Sequence, residues 1–174
     1  MGLTTPIGAG PDEVRALLAP IRNDFTVALH AADNAFAVGA IIRVAHSYLA
    51  REIVIIGSSP HYEKASMGME KYENVIRVED DDAFLAHVGD RPLWAVEKDH
   101  ATTSLHAVDA FPRDVVLLFG SERFGVPAAL VSRAHAVVGI PIYGVNHSLP
   151  LAVAAGIVMN EWARRKYTSG TVVP

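Results

Sequence analysis

The chain has 174 residues, 51% of them hydrophobic and 20% charged, which suits one compact α/β domain with a sizeable core. A formal charge of −4 excludes a protein that grips nucleic acid over its whole surface, because phosphate binding relies on many Lys and Arg; any such contact is expected to be local. The lack of cysteine excludes disulfides, thiolate zinc sites and a cysteine nucleophile, and no apolar run approaches the roughly 18 residues needed to cross a bilayer, so a soluble, cytoplasmic chain is expected.

Met1 to Gly10 shows no periodicity and reads as a loose leader. Pro11, ahead of Asp12 and Glu13, suits a helix start, and a helix is expected over Asp12 to Ile21. Short β-rich runs then alternate with helical patterns. Strands are expected at Phe25–His30, Ile53–Ile56, Leu93–Val96, Val115–Phe119 and Val137–Ile142. Helices are expected at Val38–Leu49, Ala83–Val88, Ala128–Ala134 and from about Pro150 to Lys166, the last apolar on much of its surface until Asn160. Strands separated by helices imply an α/β fold with a mostly parallel sheet flanked by helices.

Between these elements, Gly57 to Gly68 reads as a loop. Asp80, Asp81 and Asp82 read as caps at the positive end of the next helix, since three adjacent residues at a helix start do not all point at one metal ion. None of the eight histidines is paired at i, i+4 spacing, so no metal site is expected and most histidines read as surface or structural. The possible footprint of a local nucleic-acid contact is Arg43, Lys64, Lys71, Arg123 and the run Arg164, Arg165, Lys166; individually, most read as solvated surface charges.

The signatures G-x-x-x-x-G-K-[ST], G-x-S-x-G, H-E-x-x-H and a strand-linked G-x-G-x-x-G are absent, which removes the usual nucleoside triphosphatases, hydrolases and zinc peptidases. Three segments remain where a strand hands over to a loop or helix, the edge at which open α/β sheets bind ligands. In Asp33 to Ala45, Arg43 is the single charge of an apolar helix, either paired with a carboxylate at the core edge or a functional cation. In Leu117 to Pro127, a strand ends in a loop bounded by Gly120 and Gly125; this is an ordinary turn or a place where backbone approaches a ligand. In Gly139 to Pro150, Ser148 is either the N-cap of the last helix or a hydroxyl placed to meet a ligand.

Taken together and in this order, the segments resemble the three motifs of the SpoU/TrmH methyltransferases of the SPOUT superfamily: an N-x-x-A-x-x-R-x-A helix start, an F-G-x-E-x-x-G loop, and an I-P-x-x-x-x-x-S-L-N segment opening an Ala-rich helix. Lys64 to Tyr72 also looks like the family's segment between the second and third strands. The match runs from about Phe25 to Arg165, within a single domain spanning 1–174.

The resemblance implies a parallel sheet with a C-terminal deep trefoil knot and an S-adenosyl-L-methionine (SAM) pocket in it formed by Gly120, Glu122, Ile140, Ser148 and Leu149. It also implies a homodimer formed through the first and last helices, with Arg43 acting in the other subunit's pocket. The implied activity is methyl transfer to a ribose 2′-hydroxyl of tRNA or rRNA, tRNA being favoured by the size of the protein. Catalytic roles fall on Arg43 and Ser148, and on Asn34 if it substitutes for the family's Asn, whose usual place is taken by Ala37. Pro150 stands where S-L-N has its Asn. These two departures leave a catalytically silent SAM- or RNA-binding relative as the alternative, and the strand pattern alone would also allow an unrelated flavodoxin-like domain.

Overall fold

The computed structural model describes residues 7–145 and 148–166. Residues 1–6 of the leader, and Asn146 and His147 of the third segment, lie outside the described residues. The elements are α1 (Pro11–Leu18), β1 (Phe25–His30), α2 (Ala35–Ser47), β2 (Glu52–Ile56), α3 (Glu63–Ser66), β3 (Val75–Val78), α4 (Asp81–Val88), β4 (Leu93–Val96), β5 (Thr103–Ser104), β6 (Val115–Phe119), α5 (Ala128–Val131), β7 (Ala136–Gly139) and α6 (Leu151–Lys166). The strands form one sheet in the order β3-β2-β1-β6-β4-β7-β5. Every ladder in it is parallel.

Strand alternation sorts the core into two halves. Phe25, Val27 and Leu29 of β1 point to one face, where α2 and α6 cover them; Ala28 points to the other, with Phe84 and Val88 of α4 and Leu130 of α5. The central strands β1, β2 and β6 are buried almost throughout, as expected for a sheet sandwiched between helices. On α2 the buried positions Ala37, Val38, Ile41, Ile42 and Ala45 make a helical stripe, and on α6 Leu151, Ala155, Val158, Met159 and Trp162 make another. Trp162 closes this half against Phe25, ring centroids 4.4 Å apart.

The expected strands are all present, with two additions and one correction. β3 and β5 join the sheet as its edges. The last expected strand stops at Gly139 rather than Ile142, because Pro141 has no N–H with which to continue a ladder. The supposed loop Gly57–Gly68 contains the single turn α3, ended by Met67 and Gly68 in left-handed conformation. Asp80 caps α4 by accepting from the Ala83 amide at 2.9 Å, with Asp81 and Asp82 in the first turn, as the acidic triplet suggested. The C-terminal cations are engaged: Arg164 and Arg165 pair with Glu161, and Lys166 with Asp24. No helix among the described residues is long and apolar enough to cross a membrane.

Candidate active site

β4, β6 and β7 are neighbours in the sheet and all end at the same edge. Beyond their carboxyl ends lies a cavity of about 360 Å³, walled by the segments that leave the three strands and by the start of α6. Gly120, Glu122, Ile140, Ser148 and Leu149, named separately from two segments of the sequence, all line it. Ile140, Ile142, Leu149, Leu151 and Ala154 give it an apolar side, whereas Ser121, Glu122 and the loop after β4 give it a polar one.

The loop after β6 owes its shape to two glycines. A Cβ on Gly120 would lie 1.9 Å from the carbonyl carbon of Gly125 and 2.2 Å from the Val126 nitrogen, so the loop folds back directly onto its own first residue. Gly125 has φ +67°, and a Cβ there would lie 2.3 Å from a carboxylate oxygen of Glu97. The two glycines thus let backbone pack on backbone and on Glu97 in a tight turn that forms part of the cavity wall.

Glu97, which sequence reasoning passed over, fastens two walls of the cavity together. One carboxylate oxygen accepts from the amides of Lys98 at 2.8 Å and Asp99 at 3.3 Å; the other accepts from the Val126 amide at 3.0 Å. A lone Glu after a strand carries no spacing signal that would have singled it out.

Glu122 joins the loop after β6 to the last helix, its carboxylate accepting from the Leu151 amide at 3.1 Å. It satisfies one of the unpaired donors at the positive end of α6. Ser148 lies three residues before α6 begins, and is therefore not its N-cap. Pro150 sits next to the helix, where its carbonyl accepts from Val153 at 2.9 Å and Ala154 at 3.0 Å.

Arg43 and Asn34 do not line this cavity; both are on the α2 side of the fold. The Asn34 side chain caps α2, accepting from the amides of Phe36 at 3.1 Å and Ala37 at 3.2 Å. Arg43 is exposed, and among the described residues its guanidinium meets no carboxylate, which removes the buried-pair reading. Arg123, at the cavity, lies over the exposed ring of Phe124, 5.0 Å from its centroid.

The sequence profile of the SpoU rRNA Methylase family matches residues 24–160. The chain belongs to this family. Among SpoU relatives, a protein of Mycolicibacterium smegmatis named as an uncharacterized tRNA/rRNA methyltransferase is 31% identical, over 95% of this chain and 55% of its own length. The 23S rRNA (adenosine(1067)-2′-O)-methyltransferase of Streptomyces laurentii is 29% identical, over 74% of this chain and 50% of its own. The structure of an AdoMet-bound rRNA methyltransferase from Sinorhizobium meliloti superposes with a TM-score of 0.75 at 28% identity, covering 89% of this chain and 61% of that one. The SpoU chain described here spans about half the length of the curated relatives it matches. Membership sets aside the unrelated flavodoxin-like reading.

Proposed function

We propose that this chain transfers the methyl group of SAM to a ribose 2′-hydroxyl of RNA, tRNA before rRNA, as a cytoplasmic homodimer whose C-terminal part forms the trefoil knot of SPOUT proteins. The observation that carries the proposal is the convergence of Gly120, Glu122, Ile140, Ser148 and Leu149 on one cavity at the carboxyl ends of β4, β6 and β7. The names of the Streptomyces and Sinorhizobium relatives support the reaction and the cofactor.

The donor set fits SAM. Ile140, Leu149 and Leu151 offer an apolar wall for a purine, while Ser121 and the loop backbones offer groups for its polar parts. The acidic Glu122 suits a cationic ligand. When bound, SAM supplies an electrophilic methyl group on a sulfonium leaving group. The chain's own task is then to orient the ribose hydroxyl, exclude competing water and accommodate the proton that leaves.

Arg43 is assigned to the partner subunit's pocket, holding a phosphate of the RNA and stabilising the oxygen as its charge develops. A guanidinium is a poor base, so positioning and charge stabilisation suit this residue better than the role of base. Ser148, exposed at the cavity rim, is assigned to orienting the hydroxyl. Asn34 is accounted for by capping α2 and is assigned no chemistry.

The roles assigned above draw on neither Ala37 nor Pro150, the two departures from the family motifs. Ala37 is buried on the inner face of α2, and Pro150 supplies to α6 a carbonyl that any residue would supply. The test is transfer of tritiated methyl from SAM to tRNA and rRNA from cells lacking the gene, followed by alkaline hydrolysis. Label in alkali-resistant dinucleotides is the expected result; label only in mononucleotides would place the methyl on a base and overturn the assignment.

A further inference from the structure

Apart from the cavity, the carboxyl edge of the sheet carries a second feature. Phe36, in the first turn of α2, and Tyr62, just before α3, are 62% and 45% exposed and face each other with ring centroids 6.5 Å apart. The arrangement is built in. A Cβ on Gly39 would lie 2.4 Å from the Tyr62 carbonyl oxygen and 2.9 Å from the Ala65 side chain, so the missing side chain is what lets α3 lie on α2. The Tyr62 amide then donates to the Ala35 carbonyl at 2.9 Å, which fixes Tyr62 beside Phe36.

The pair has a cationic flank. Arg77 of β3 donates to the Ser59 carbonyl at 2.7 Å and lies 3.0 Å from His61 Nδ1, next in sequence to Tyr62. Among the described residues no carboxylate pairs with Arg77, which is exposed. Two accessible aromatic rings beside a cation that no carboxylate bonds match an unstacked nucleobase with its phosphate. A purely apolar partner would leave Arg77 without a counter-charge.

We infer that Phe36 and Tyr62 form a stacking platform for an unpaired base of the substrate RNA, with Arg77 engaging a phosphate beside it. The inference rests on the proposal that the substrate is RNA. A base within a duplex hides both faces in its own stack, so the platform selects single-stranded loops or ends over helices.

The test is fluorescence anisotropy of the full chain with a short labelled single-stranded oligoribonucleotide and with a duplex of the same length. The single strand is expected to bind better. Phe36→Ala and Tyr62→Ala are each expected to weaken it on the order of tenfold, the size of losing one stacked base. Phe36→Trp is expected to retain affinity, and Arg77→Ala to flatten the dependence on salt.

Calorimetric titration with SAM and the mass in solution are expected to stay as in wild type for both alanine variants. The platform is overturned by unchanged single-strand affinity in both, by equal affinity of wild type for duplex, or by a loss of dimer in Phe36→Ala, which would give the rings to a second copy of the chain. The SAM titration of wild type separates these failures from failure of the methyltransferase reading, because neither ring lines the cavity.

Discussion

The carboxylate of Glu122 accepts a hydrogen bond from the Leu151 amide at 3.1 Å, joining the loop after β6 to the first residue of α6. Both residues line the cavity, and α6 carries much of the apolar core. The same contact therefore caps a helix and sets the spacing of two cavity walls.

Glu122→Ala is expected to lower stability by about 1 kcal/mol, the usual value of a helix cap, and to weaken SAM binding by more than that loss of cap alone explains. Glu122→Gln retains an acceptor for the Leu151 amide but removes the charge. Urea midpoints near wild type with reduced SAM affinity in Glu122→Gln would separate the two roles; equal loss of both would tie the residue to folding alone.

Glu97→Ala strands three amides that its carboxylate now holds, and is expected to cost roughly 2 kcal/mol of stability. The cavity loosens with it, so SAM affinity falls on the order of tenfold, the equivalent of about 1.4 kcal/mol. Glu97→Gln has only one acceptor oxygen for two walls and is expected to fall between. Calorimetry with SAM on both variants checks this, and wild-type affinity in Glu97→Ala would contradict it.

Gly39→Ala places a methyl group against backbone, the Tyr62 carbonyl, which cannot turn aside as a flexible side chain does. The expected cost is about 2 kcal/mol, in the range of overpacked cores. Thermal unfolding reads it directly, and an unchanged midpoint would show that α3 moves off α2 freely.

Below the sheet, Glu52 accepts from Arg91 at 2.8 Å and lies 3.2 Å from His87 Nε2. Burial alone would raise its carboxyl, but the Arg91 hydrogen bond and the charges of Arg91 and His87 outweigh it, and the group is held below the usual carboxylate value. A carboxyl with a folded value below its unfolded one binds fewer protons folded than unfolded. Its contribution is thus complete above the unfolded value and is lost as pH falls through the folded one. Urea midpoints measured down an acid series are expected to fall less steeply for Glu52→Gln than for wild type; parallel curves would contradict the assignment.

Much of the sheet and five residues of the cavity were legible in the sequence. The β-branched and leucine-rich runs of β1, β2, β4 and β6 announced buried parallel strands, and Gly120, Glu122, Ile140, Ser148 and Leu149 could be named from motif order. β3 was hidden because Arg77 interrupts a four-residue edge strand that is only half-buried, and β5 because it is two exposed polar residues. Glu97 was hidden for a different reason: its partners are backbone amides up to 29 residues away, and backbone donors leave no trace in residue identity. The same holds for Gly39, whose use depends on where α3 comes to rest.

The central claim is that the cavity binds SAM and that Arg43, outside it, serves transfer rather than cofactor binding. The most direct measurement is calorimetric titration with SAM, paired with tritiated-methyl transfer to RNA, for wild type and Arg43→Ala. The account predicts near-equal SAM affinity in the two proteins and loss of transfer in Arg43→Ala. Failure of the wild-type protein to bind SAM, or full transfer by Arg43→Ala, would contradict it.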